Sequence, residues 1–210
     1  MNKGIRLAQS EVVAILNSDD RWLPGTLELV EKTFMNSPDV GIVHGDIDYV
    51  IDQSTTLRIK PTTGFWRSFG LGLPTAHPAA FIRREVYTQH GLYDSDRFPI
   101  AADQELVYRA FARGVTDRYL GEVLTLMAAS GQSSRLDCSA EIDNMLENLD
   151  PRTRWIAKRI RQLLNHDNRF YDGRVSSGFG KEILLRLLAP GPFKRTYDRL
   201  FRRSKARDYP

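Results

Sequence analysis

The chain has 210 residues, 41% hydrophobic and 27% charged, an ordinary folded balance with room for one substantial domain and an appendage. Its single cysteine, Cys138, excludes an internal disulfide and a cysteine-based metal cluster, and Lys3, Arg6 and Glu11 interrupt any secretory leader or membrane span at the start. The net charge of +4 conceals a division: residues 1–150 carry 14 Lys/Arg against 21 Asp/Glu, whereas residues 151–210 carry 16 against 5. An acidic body is joined to a basic tail suited to an anionic partner, and the cysteine usage sets the expected compartment as cytoplasmic.

In chain order, Met1 to Gln9 reads as the end of a helix, and the apolar run Val12 to Leu16 as a parallel strand covered on both faces. Pro24 and Gly25 break the chain before a helix over Thr26 to Met35, with Leu27, Val30 and Phe34 at helical spacing. Val40 to His44 predicts a strand, "GDIDYVID" a second one exposed on one face, and Leu57 to Ile59 its return. The Gly-, Pro- and aromatic-rich stretch from Gly64 to Asp94 predicts pocket-forming loops and short helices around a strand at Ala79 to Ile82. A helix follows over Ala101 to Ala112, with Leu106, Ala110 and Phe111 inward and Glu105 toward solvent, then a strand over Tyr119 to Met127. From Ala140 the pattern is helical. Strand, helix and strand in alternation predict an α/β layered core.

Two adjacent carboxylates, Asp19 and Asp20, stand where ligands gather in α/β sheets, at the carboxyl end of a strand. Hard oxygen ligands side by side suit Mg²⁺ or Mn²⁺, which need only one or two protein carboxylates when substrate phosphates complete the octahedron. The alternative is that "SDD" caps the next helix or makes an Asx turn. Asp103, at the start of a helix, is open to two readings, a general base or a charge placed on the helix dipole. His77 is a candidate sugar or phosphate contact, or a packed loop histidine. Asp46 is a candidate donor-sugar contact, or a turn cap. Trp22, Phe65 and Trp66 are candidate sugar-stacking rings, or core aromatics.

The blocks "NSDDRWLPGTLELV", "GIVHGDIDYV", "HPAAFIRREVYTQHGLYD" and "IAADQELVYRAFARG" occur in an order and spacing that resemble the inverting family 2 glycosyltransferases of the GT-A fold, over Met1 to about Ser134. The branch it looks most like builds bacterial surface polysaccharides. The resemblance implies a partial GT-A sheet with helices over residues 1–135 and a helical, basic extension over 136–210. It implies transfer of a sugar from a nucleotide-sugar donor, expected to be a UDP-sugar, to a glycan or lipid-linked acceptor, with Mg²⁺ or Mn²⁺ as cofactor. Under it, Asp19 is the metal and diphosphate contact with Asp20 its neighbour in the metal-binding motif. Asn17 takes the place of a first Asp and can still accept a ribose hydrogen bond. Asp103 is the catalytic base, with Ala102 where many relatives carry Glu, and "SGQSS", Ser130 to Ser134, resembles a closing loop. Relatives carry further strand-helix units before the segment that opens this chain. The resemblance therefore implies a shortened nucleotide site, poor donor binding and a β-edge at Val12 to Leu16 without its neighbour. A non-catalytic or partner-dependent remnant of the fold is the alternative function.

In the tail, Ile183, Leu184, Leu187 and Leu188, then Phe193, Tyr197, Leu200 and Phe201, recur at helical spacing among Arg and Lys. This is the pattern of a basic amphipathic helix on an anionic membrane surface, and equally of a helix packed on its own core with a solvated face. A nucleic-acid partner is the opposing class, but the acidic body works against it and no recognised nucleic-acid motif is present.

Overall fold

The computed structural model describes residues 1–52, 54–61, 74–128, 139–147, 154, 155 and 158, all within one compact unit, Met1–Arg161. The expectations for Phe65, Trp66, the "SGQSS" loop and the basic tail lie outside the described residues. Helix α1 (Asn2–Leu7) buries Ile5 and leads to β1 (Val12–Ala14) and the two-residue β2 (Arg21–Trp22). Gly25, at φ 82°, makes the left-handed turn into α2 (Thr26–Asn36). That helix buries Thr26, Val30 and Phe34, an i, i+4, i+8 stripe, and leaves Leu27 exposed where an inward position was expected.

The two strands expected between Val40 and Asp52 are one, β3 (Val40–Val50), with β4 (Thr56–Ile59) as its return. A single 3-10 turn (His77–Ala79) leads into β5 (Ala80–Arg83), followed by α3 (Arg84–His90), α4 (Ala102–Ala112), β6 (Thr116–Ala128) and α5 (Ser139–Leu146). The sheet runs β1-β5-β3-β6-β2, with β4 on β3. β3 and β6 are parallel, β5 runs against β3 and β1, and β2 runs against β6.

Alternation along the strands sends successive side chains to opposite faces. Ile42 and Ile82 join Val86, Leu106 and Met145 under α3, α4 and α5, while Val43 and Phe81 join Val30, Phe34 and Leu124 under α2. Helices thus cover both faces of a mixed sheet. Met145 and Ile142 carry α5, expected in the appendage, into the same core as α4.

Two departures from the expected strands have local causes. β1 is not a strand flanked by parallel partners: it is three residues long, buries only Val13, and has β5, antiparallel, as its neighbour among the described residues. In β6, a four-residue step from Tyr119 to Val123 lies opposite the two-residue step from His44 to Asp46 in β3. Gly121, at φ 73°, turns this bulge, and opposite it a Cβ on Gly45 would lie 2.5 Å from Leu124 Cγ and 2.6 Å from the Glu122 carbonyl oxygen. Among the described residues no helix is long and apolar enough to cross a membrane.

Candidate functional site

At the carboxyl end of β1 the structure brings two of the expected residues together. Asp103, in the first turn of α4, and His77, in the turn before β5, line one small cavity with Ile15, Thr75, Tyr87 and Tyr93. The turn carrying His77 is held from two strands: Trp22 Nε1 and Thr125 Oγ1 each donate to the Pro78 carbonyl, at 2.9 Å. Trp22 also packs on Phe81, with ring centroids 5.4 Å apart, so it is a core aromatic. Tyr93 is clamped through its backbone, since Asn2 Nδ2 donates to its carbonyl at 2.8 Å and its N–H donates to Asn2 Oδ1 at 3.1 Å. Its ring meets Tyr87 and His77 edge-on, at 6.1 and 6.4 Å between centroids.

Burial pushes the Asp103 carboxyl above the ordinary carboxylate range, and Glu141 adds to the rise; His77 and the N–H groups of Gln104 and Asp103 oppose it. Burial also raises the Tyr87 hydroxyl to about 12 and lifts Tyr93 further, so both phenols stay neutral beside the acid. His77 Nε2 is buried without a hydrogen-bond partner. The enclosed space is about 10 Å³, room for one water or hydroxyl and not for a sugar ring. A carboxyl with raised proton affinity facing a space of that size is equipped to take one proton.

The acidic turn after β1 divides its two carboxylates. Asp20 Oδ2 accepts from Asn17 Nδ2 at 3.0 Å and Oδ1 from the Ala128 N–H at 3.1 Å, while the Asp20 N–H closes the turn on the Asn17 carbonyl. Asp20 therefore ties the turn to the end of β6. Asp19 points to solvent, exposed and with no side-chain hydrogen bond among the described residues. No group of three or more His, Cys, Asp or Glu able to cage a metal occurs among the described residues. The donor set that remains is the free Asp19 carboxylate, which fits a cation completed by phosphate and water rather than an all-protein cage.

Asp46 belongs to neither group. It is fully buried on β3, where Oδ1 accepts from the Tyr119 hydroxyl at 2.5 Å and Oδ2 lies 4.0 Å from both Arg58 Nε and Lys60 Nζ. Burial and this bond raise the Tyr119 hydroxyl to about 12. One strand step away, His44 is fully buried with Nε2 2.9 Å from Asp117 Oδ2.

Reading along the chain missed three contributors. Tyr87 and Tyr93 are unremarked aromatics until α3 and the loop after it bring them to the cavity that Asp103 lines. Glu105, expected in solvent, is buried and holds Arg109 at 2.7 Å, while Arg109 donates to the Leu92 carbonyl at 2.9 Å and to that of His90. The i, i+4 Glu-Arg spacing was the available signal.

Comparison with known proteins places this architecture. Residues 1–91 match the family model described as Glycosyl transferase family 2. That segment resembles the family, and the match covers under half of the chain. A protein of Nostoc sp. described as an uncharacterized glycosyltransferase is 30% identical over 135 residues, covering 60% of this chain and 39% of its own length. Crystal structures of S. aureus TarS 1-349 share the fold: the complex with UDP at TM-score 0.53 and 14% identity, covering 93% of this chain and 56% of that one, and a second structure at 0.53 and 15%, covering 83% and 51%. The chain thus spans between two fifths and three fifths of these relatives, and its mixed sheet with helices on both faces is a GT-A arrangement.

Proposed function

We propose that this chain carries the acceptor-activating part of a sugar transfer from a nucleotide-sugar donor to a glycan or lipid-linked acceptor of the cell surface. The observation that carries the reading is Asp103: a carboxyl of raised proton affinity in a space for one hydroxyl, on a family 2 scaffold. In the proposed step the Asp103 carboxylate accepts the proton of the acceptor hydroxyl. The hydroxyl oxygen bonds to the anomeric carbon from the face opposite the leaving group, and the nucleoside diphosphate departs with its bonding electron pair, inverting the centre. His77 favours the charged carboxylate before transfer, and the neutral Tyr87 and Tyr93 exclude water behind it.

Asp19 is the residue that would hold Mg²⁺ or Mn²⁺, which supplies charge neutralisation for the departing diphosphate. Asp20 and Asn17 position that carboxylate by closing its turn. The UDP bound by TarS supports a UDP-sugar as donor. The basic tail, on its sequence pattern, places the protein against an anionic membrane surface on the cytoplasmic side, where lipid-linked acceptors lie. Calorimetric titration of the protein with UDP-sugar and Mn²⁺ tests the divided roles. Asp19→Ala should weaken metal-dependent donor binding about 10-fold or more, and Asp20→Asn should weaken it less. Equal metal-dependent binding in the Asp19 variant and the unmodified protein would overturn the assignment.

A further inference from the structure

Ala101 is the N-cap residue of α4 and makes no side-chain cap hydrogen bond, although the first turn of the helix carries Asp103. The first backbone N–H groups of a helix have no partner within it and need one from elsewhere. Here the partner comes from α5, 40 residues on. Glu141 is buried, its Oε2 accepts from the Ala101 N–H at 2.8 Å and from the Ile100 N–H at 3.0 Å, and its Oε1 lies 3.2 Å from the Ile100 N–H. The two amides that lead into α4 thus receive a carboxylate from across the core, two residues before Asp103.

We propose that Glu141 is a positioning residue for Asp103, reaching across the core to hold the start of α4 in place. An acid at a helix N-terminus is itself favoured by the dipole. The same dipole favours ionised Asp103, and Glu141 offsets part of that pull. The charged and titratable groups facing Asp103 come from four directions: His77 from the turn before β5, Tyr87 from α3, Tyr93 from the loop after it, and Glu141 from α5. Burial is the main cause that raises Asp103, His77 acts to ionise it, both tyrosines stay neutral, and the Glu141 charge adds to the rise. The bearing of this on transfer rests on Asp103 being the base, but the contact and its electrostatic effect do not.

Three readouts on the full chain separate the possibilities. In Glu141→Gln one amide oxygen can still accept an N–H, so the Ile100 and Ala101 amides should keep their hydrogen-exchange protection within a few-fold. The Asp103 carboxyl, followed by ¹³C NMR, should titrate at lower pH than in the unmodified protein. In Glu141→Ala both amides should lose protection by about tenfold or more, the loss expected from an unmade buried hydrogen bond. An unmoved Asp103 titration in Glu141→Gln would overturn the electrostatic role, and unchanged amide protection in Glu141→Ala would overturn the positioning role. If Glu141→Ala does not fold, Glu141→Asp, whose carboxylate is one methylene short of the amides, carries the same test: loss of protection at Ile100 and Ala101 by about tenfold or more would support positioning, and unchanged protection would overturn it. Normal transfer by Asp103→Asn would instead remove the base reading and leave these results standing.

Discussion

Asp46, fully buried, and Asp103, partly buried, are acids drawn back from solvent on the same α/β scaffold, and they are held in opposite ways. Asp46 is sealed in the sheet: a tyrosine hydroxyl occupies one oxygen and two cations stand over the other. Asp103 sits at a helix start, facing a space the size of one hydroxyl and an imidazole nitrogen without a partner. Burial alone therefore does not mark a reactive carboxylate here. What separates the two is whether a place for a reacting atom has been left open.

The comparison can be broken most severely on the Asp103 side, through the helix that carries it. Arg109 ties α4 to Glu105 and to the carbonyls after α3, and Arg109→Ala leaves the buried Glu105 without its counter-charge. Chemical denaturation should show a loss of about 3–5 kcal/mol; a loss under 1 kcal/mol would mean α4 is positioned by other contacts. Next, Gly45→Ala forces a methyl against Leu124 and the Glu122 carbonyl beside Asp46. A loss of about 3 kcal/mol is expected, with the Asp103 titration unchanged.

Smaller again, Tyr119→Phe removes the only hydrogen bond found on Asp46 among the described residues and should cost about 2 kcal/mol without changing donor binding. A selective loss of donor affinity in that variant would return Asp46 to the binding site. The smallest effect has the opposite sign. Because Asp103 binds its proton more tightly folded than unfolded, its contribution is fully present below the unfolded value near 3.8 and is lost as pH rises through the higher folded value. Asp103→Asn should therefore gain stability relative to the unmodified protein as pH rises across that interval. Parallel stability curves for the two proteins from pH 3 to 8 would contradict it.

Much of the scaffold was legible along the chain because its signals are local. The Pro-Gly break fixes the start of α2, the apolar spacing in α4 gives its inner face, and the alternating "GDIDYVID" marks the second half of β3. Asp103 and His77 were readable as candidates from separate blocks, and the fold adds that they share a cavity. The misreadings share a cause, which is that the deciding partner lies far away in sequence. Glu105 looks solvent-facing until Arg109 and the carbonyls near Leu92 close over it. Asp19 and Asp20 look equivalent until the Ala128 N–H, 108 residues away, claims one of them. Glu141 carries no signal at all, since only packing of α5 on the core brings it to the start of α4. The two-residue β2 is too short for any periodicity.

The central claim is that Asp103 takes the acceptor proton, and single-turnover transfer from a nucleotide-sugar donor by the full-length protein measures it most directly. Asp103→Asn should lower the transfer rate by about 10²–10⁴-fold while metal-dependent donor binding is kept. In the unmodified protein the rate should rise with pH along the titration of Asp103 seen by NMR. Transfer by Asp103→Asn at the unmodified rate, with the same pH dependence, would contradict the account.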